Sequence, residues 1–205
     1  VNDDLRAVTV HSRVNRGFAI ASWALLAVLG VLLALQSQLQ GVVATAIVVA
    51  WLAYAAYAGL WAPALEVGAR GAQIRNPLRT ISVSWDALIH VDTKYSLTLH
   101  TPGRAWPVWC APQASALAAR RAAKRVRDDR DPRDPRSALD SGIPVGDLPG
   151  TESGDAAALV RQRWEQRPAS RVDADDVAVP VTVHWGRVAA LVGGPVLAAT
   201  VPLLL

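Results

Sequence analysis

Two long runs without a single charge decide what this chain can fold into. Residues 18–35 read FAIASWALLAVLGVLLAL and residues 42–61 read VVATAIVVAWLAYAAYAGLW. As a helix rising about 1.5 Å per residue, the first run spans roughly 27 Å, the thickness of a well-matched or slightly thinned bilayer core. A signal peptide fits the first run poorly. Its leader is long, the exit QSQLQ has no A-x-A site, and a second run follows at once. Gly30, Ala34 and the alanines of the second run allow close helix approach, so the pair predicts a transmembrane hairpin over 18–62. Trp51 and Tyr54 share a helical face with Ala58 and Trp61 and are expected to pack on the first helix. Tyr57 and Trp61 suit the interfacial belt.

Charge sets the orientation. Arg6, Arg13 and Arg16 precede the hairpin within a polar tail, 1–17; the tip carries no charge; Arg70, Arg75 and Arg79 follow. The positive-inside rule then puts both ends of the hairpin in the cytoplasm, in a multi-pass protein of the cell (inner or plasma) membrane. After Arg187 no charge appears, so 185–205 is expected to hold a third transmembrane helix. That helix is of marginal length, with a kink at Gly193-Gly194-Pro195 and its C-terminus outside; a segment that does not fully cross is the weaker alternative. The net charge of +4 and pI near 9.8 therefore report topology more than nucleic-acid binding. A lone cysteine, Cys110, excludes an internal disulfide and fits a cytoplasmic module.

Between the apolar runs, residues 63–129 alternate like a small antiparallel sheet. Ile81, Val83 and Trp85 face one side and Thr80, Ser82 and Ser84 the other; Leu97 and Leu99 alternate with Ser96, Thr98 and His100. Turns fall at Arg70-Gly71, Asn76-Pro77 and Pro102-Gly103, and Pro107 suggests an edge or a bulge. A helix over 113–129, with Ala114, Leu117, Ala118 and Ala122 as its apolar stripe, is expected to close the sheet into an α+β unit. Residues 130–184, rich in Pro, Asp, Arg, Gly and Ser, predict a mostly disordered linker. Within it lie a short helix at 155–166, capped by Ser153 or Asp155, and a strand at 177–183.

The Gly71 turn, the stretch IRNPLRTISVSWDALIHV, the Pro102-Gly103 turn and the strand WPVWCAP together resemble bacterial PH-domain membrane proteins of the actinobacterial low-molecular-weight protein antigen 6 type. The resemblance covers roughly residues 60 to 125. It implies a PH-like small barrel or sheet closed by a C-terminal helix beside the membrane, of a class with no established enzymatic activity, and it does not imply a phosphoinositide ligand.

No catalytic constellation appears. His11, His90, His100 and His184 are scattered; His90 and His100 can approach across strands but have no third ligand. Cys110 has no partner base, and no phosphate-binding or nucleophile-elbow motif occurs. The expectation is a protein that is not an enzyme and takes no cofactor or metal. Arg70, Arg75, Arg79, Lys94 and Arg104 sit on or beside turns and are the candidate ligand-binding residues, for an anionic lipid headgroup or an acidic protein partner. An open groove lined by Arg75 and Arg79 would mark such a site. The helix cations Arg120, Arg121, Lys124, Arg125 and Arg127 can also rest on phosphates. Without a basic face interleaved with exposed aromatics, nucleic acid is not expected. The function predicted is lipid or protein binding, or scaffolding, at the membrane. The alternative is an accessory subunit of a transporter or enzyme complex acting through its transmembrane helices.

Overall fold

The structure, a computed structural model, describes residues 7–36, 38–128, 145–167 and 177–200. Much of the expected linker (129–144 and 168–176), Arg6 and the final residues 201–205 lie outside the described residues. The chain divides into two compact units. A sheet unit includes described residues 7–12, 64–75, 81–128, 145–167 and 177–181. A helical unit includes 13–36, 38–63, 76–80 and 182–200.

In the helical unit both uncharged runs are helices: α1 (Arg13–Gln36) and α2 (Leu39–Ala56), the latter widening into a π turn at Tyr57–Trp61. They are the two helices long and apolar enough to cross a membrane among the described residues. Gly30 lets them close up, since a Cβ there would lie 3.2 Å from Cγ2 of Val49. Trp23 donates its indole N–H to the Ala53 carbonyl at 3.0 Å, and its ring lies 5.4 Å from that of Trp61. The Arg16 guanidinium sits 4.8 Å over the Trp61 ring, joining the expected belt to a cation at the helix start.

The expected third membrane helix is not seen as such. The last helix, α5 (Trp185–Thr200), has 16 residues, about 24 Å of rise, short of a spanning helix among the described residues. It runs on through Pro195, which has no N–H to offer the carbonyl four residues back, that of Leu191. Trp51 of α2 supplies the missing donor, its indole Nε1 lying 3.1 Å from the Leu191 oxygen. The approach requires Gly194: a Cβ there would fall 1.9 Å from Cδ1 of Trp51. Trp51 therefore packs on α5, where the sequence pattern pointed to the first helix.

The strands are β1 (Val8–Val10), β2 (Ala64–Val67), β3 (Gly71–Arg75), β4 (Arg79–Ser84), β5 (His90–Asp92), β6 (Ser96–Thr101), β7 (Arg104–Pro112) and β8 (Val181–Val183), of which β4 and β8 have residues in each unit. They form one sheet in the order β1-β2-β3-β4-β8 and a second in the order β5-β6-β7. The polar tail is thus not wholly a tail: β1 pairs antiparallel with β2, Val8 opposite Val67 and Val10 opposite Leu65. Pro107 lies opposite Thr98 on the edge strand β7, beside the register shift between Ser96 and Thr98, where a missing donor costs no ladder bond. Leu65, Val67, Ile74, Ile81, Val83, Leu97, Leu99, Trp106 and Val108 point into one core. Each fully buried side chain of this kind contributes roughly 1.5–3 kcal/mol of transfer free energy.

The helix that completes this core is α4 (Glu152–Glu165), not the one at 113–129. Ala156, Ala157 and Val160 are buried there, and Trp164 donates its indole N–H to the Trp85 carbonyl at 3.1 Å. Alanines let the helix backbone approach the sheet closely; the short helix expected at 155–166 is present, but as part of the core and not of a linker. Its N-cap is Thr151, whose Oγ1 accepts from the Gly154 N–H at 3.1 Å, rather than Ser153 or Asp155. Ser12, just after β1, donates to Oε2 of Glu152 at 2.5 Å. In the helix expected to close the sheet, α3 (Ala116–Asp128), Ala119 and Ala122 are the buried residues among the described side chains, and they pack with Ala114 and Leu148 in a small separate cluster.

The Trp51–Leu191 bond gives a measurable expectation. Trp51→Phe should destabilise the full chain in bicelles by about 0.6–1.7 kcal/mol. In a Pro195→Ala background, where residue 195 regains its N–H, the same change should cost measurably less. Equal costs in both backgrounds, read by equilibrium unfolding, would show that the indole is not serving the orphaned carbonyl.

Candidate functional site

Among the concavities formed by described residues, two open on the sheet unit. The first, about 440 Å³, lies over the outward polar residues of β2, β3 and β4 and is lined by Glu66, Arg70, Gln73, Ser82, Ser84 and Pro180 among others. Its rim is the turn between β2 and β3. Trp85 fixes that turn twice: its backbone N–H donates to the Arg70 carbonyl at 3.1 Å and its indole to the Ala69 carbonyl at 3.0 Å. Gly71 cannot be replaced without displacing β4, because a Cβ would lie 2.2 Å from the Val83 carbonyl oxygen. The opposite wall comes from 177–180, held by the Ser82 N–H to the Pro180 carbonyl at 3.0 Å.

The second concavity, about 540 Å³, lies at the β5–β6 turn and is lined by Asp92, Thr93, Lys94, Gln113, Asp147 and Arg161 among others. Asp147 is its pin. It accepts from Thr93 Oγ1 at 2.9 Å and from Arg161 Nη1 at 2.8 Å, while Arg161 Nη2 donates to the Val91 carbonyl at 3.2 Å. Gly146 presses on the same turn, a Cβ there falling 1.9 Å from the Thr93 carbonyl oxygen. The carboxylates are committed to structure: Asp92 Oδ1 accepts from the Lys94 N–H at 3.0 Å. Asp147 and Arg161 were invisible to sequence reasoning, since both lie in a stretch whose composition reads as linker and no local pattern joins them.

The five cations singled out from the sequence do not converge on one site. Arg70 lines the first concavity and Lys94 the second, with the Lys94 Nζ 5.4 Å from the Tyr95 ring. Arg75, at the end of β3, pairs with Glu66 Oε2 at 2.6 Å and donates to Gln73 Oε1 at 3.1 Å. That pair is half exposed and contributes at most about 1 kcal/mol. Arg104 follows Gly103, whose φ of +68° makes the hairpin turn, and stacks 4.8 Å over Trp106. Arg79 opens β4, its carbonyl accepting from the Asn76 N–H at 2.9 Å. Neither Arg75 nor Arg79 lines either of these two concavities.

His90 and His100 do meet, opposite each other across β5 and β6 with ring centroids 5.8 Å apart. No group of three or more metal-ligating side chains occurs among the described residues. His184, just ahead of α5, has its Nε2 2.9 Å from Thr80 Oγ1; burial and then the Arg187 charge push its protonation below the usual imidazole range. Cys110 is buried, 3.6 Å from the Val10 carbonyl that its thiol faces. Burial, above all, pushes that thiol up to about 12.

Cys110 in the folded chain should therefore resist thiol reagents at pH 8 and react fully once unfolded. Because the folded value lies above the unfolded one, its contribution to stability is complete below about pH 8.5 and declines as pH rises toward 12. Labelling kinetics with and without denaturant, and unfolding midpoints across that window, measure both; rapid native-state labelling would contradict the assignment. Compared with known proteins, the chain matches no family model, no curated protein and no solved structure.

Proposed function

We propose that this chain is a multi-pass protein of the cell membrane whose α1–α2 hairpin anchors a non-catalytic, PH-like binding module in the cytoplasm. The observation that carries the reading is the pairing of β1 with β2. These strands lie in the sequence on either side of the hairpin, so if α1 and α2 cross a bilayer they cross it an even number of times. Arg13 and Arg16 before the hairpin and Arg70 and Arg75 after it then favour the cytoplasmic side for both ends. Two antiparallel sheets closed by one helix support the PH-like reading. The engaged carboxylates and the unreactive surroundings of Cys110 support binding over catalysis.

The mechanism is recruitment. Anchoring the module raises its effective concentration toward a lipid headgroup or a membrane protein, with Arg70 and Lys94 at the mouths of the two concavities and Arg104 on the β6–β7 hairpin.

A membrane-impermeant maleimide tests the topology, with buried Cys110 as a silent background. A cysteine replacing Lys94 should label only in inverted vesicles, and one replacing Gln38 at the hairpin tip only in right-side-out vesicles. Labelling of both from one side would rule out the hairpin as a membrane crossing. Recruitment has its own test. The chain purified in mild detergent should retain a lipid or protein identifiable by mass spectrometry, and changing Arg70, Lys94 and Arg104 to Gln should reduce its retention several-fold. Unchanged retention would remove those cations from the binding role.

A further inference from the structure

The densest exposed charge among the described residues is on α3. From Ala116 to Arg125 the helix carries Arg120, Arg121, Lys124 and Arg125 and no acidic residue. All four are exposed, and none has an ion-pair partner among the described side chains, which on this helix end at Arg125. At about 100° per residue, the buried pair Ala119 and Ala122 marks one side of the helix, and the four cations fill an arc of roughly 140° on the opposite side. Arg120 with Lys124 and Arg121 with Arg125 are like-charge neighbours four residues apart, an arrangement disfavoured in an isolated helix. An anionic surface removes that penalty.

A second observation narrows the partner. The apolar stripe read from the sequence included Leu117, but the structure turns this residue outward, 58% exposed. It falls in the middle of the cationic arc, one turn ahead of Arg120 and Arg121 and two turns ahead of Lys124. The opposite side of α3 is already covered by Ala114 and Leu148, so the helix has no broad apolar face to sink into lipid. A single leucine ringed by cations suits the headgroup layer of a bilayer. It places no aromatic side chain among the cations on which successive bases could stack.

We propose that the outer face of α3 is a docking surface for an acidic phospholipid bilayer. Arg120, Arg121, Lys124 and Arg125 engage the phosphates, and Leu117 enters between the headgroups. This deepens the reading of the chain as a membrane-anchored binding module and rests on it.

The test uses the full chain held in nanodiscs of neutral phosphatidylcholine, mixed with vesicles of phosphatidylcholine alone or with about one third phosphatidylglycerol, and read by co-flotation. The expected result is flotation with the acidic vesicles only, released when salt rises from about 0.1 M to 0.5 M. Changing the four cations to Gln should weaken it by at least about tenfold, since each contributes several-fold near an acidic surface. Arg120→Lys, Arg121→Lys and Arg125→Lys together should preserve it, and Leu117→Asn should weaken it a few-fold. These positions are exposed, and unchanged circular dichroism verifies that folding is retained. Equal flotation of the Gln variant overturns the proposal, as does loss of flotation only when Arg70, Lys94 and Arg104 are changed. So does α3-dependent binding of a single-stranded RNA with no vesicle binding. Failure of the chain to enter nanodiscs overturns the membrane reading itself; entry without α3-dependent flotation overturns this inference alone.

Discussion

The pairing of β1 with β2 is the constraint on which the rest depends. Val8, Thr9 and Val10, ahead of the first apolar helix, pair with Val67, Glu66 and Leu65 after the second, so the chain that leaves the sheet after Val10 must return to it at Ala64. A hairpin of two apolar helices satisfies that requirement in the fewest elements. Ser12, just after β1, extends the tie to Glu152 at the start of α4.

Close approach recurs wherever an element would otherwise leave a backbone group unserved or a turn unheld. Gly194 admits Trp51, which satisfies the carbonyl that Pro195 orphans. Gly71 lets β3 lie against β4, and Gly146 lets the 3₁₀ turn Val145–Asp147 press on Thr93, where Arg161 and Asp147 lock it. Alanines at 156 and 157 do the same for α4. In each case small residues that contribute little hydrophobic signal position large or charged ones, which is why the sheet unit is bigger than its alternating strands alone suggest.

The candidate site divides along the same line. Turn positions mark where cations are presented, and Arg70, Lys94 and Arg104 are all found at turns or hairpin ends. Their separation was not legible, because which turns share an end of a sheet depends on strand order. Arg75 was drawn from the solvent to Glu66 by a diagonal neighbour on the adjacent strand, a pairing fixed only by register. Leu117 was assigned inward by periodicity, yet the helix rotation is set by Leu148, thirty-one residues away.

Local pattern among the residues was enough to set the two apolar helices, the alternation of Ile81, Val83, Leu97 and Leu99, and the turn glycines. Each of these follows from local rules: a charge-free run, a period of two, a residue free to take any φ. Tertiary structure alone decided that Val8–Val10 joins the sheet, that α4 rather than α3 completes the core, and that Trp51 serves α5. Those outcomes turn on contacts between residues far apart in the chain, where an alanine, a glycine or a short polar strand carries no local signature of the partner it will meet.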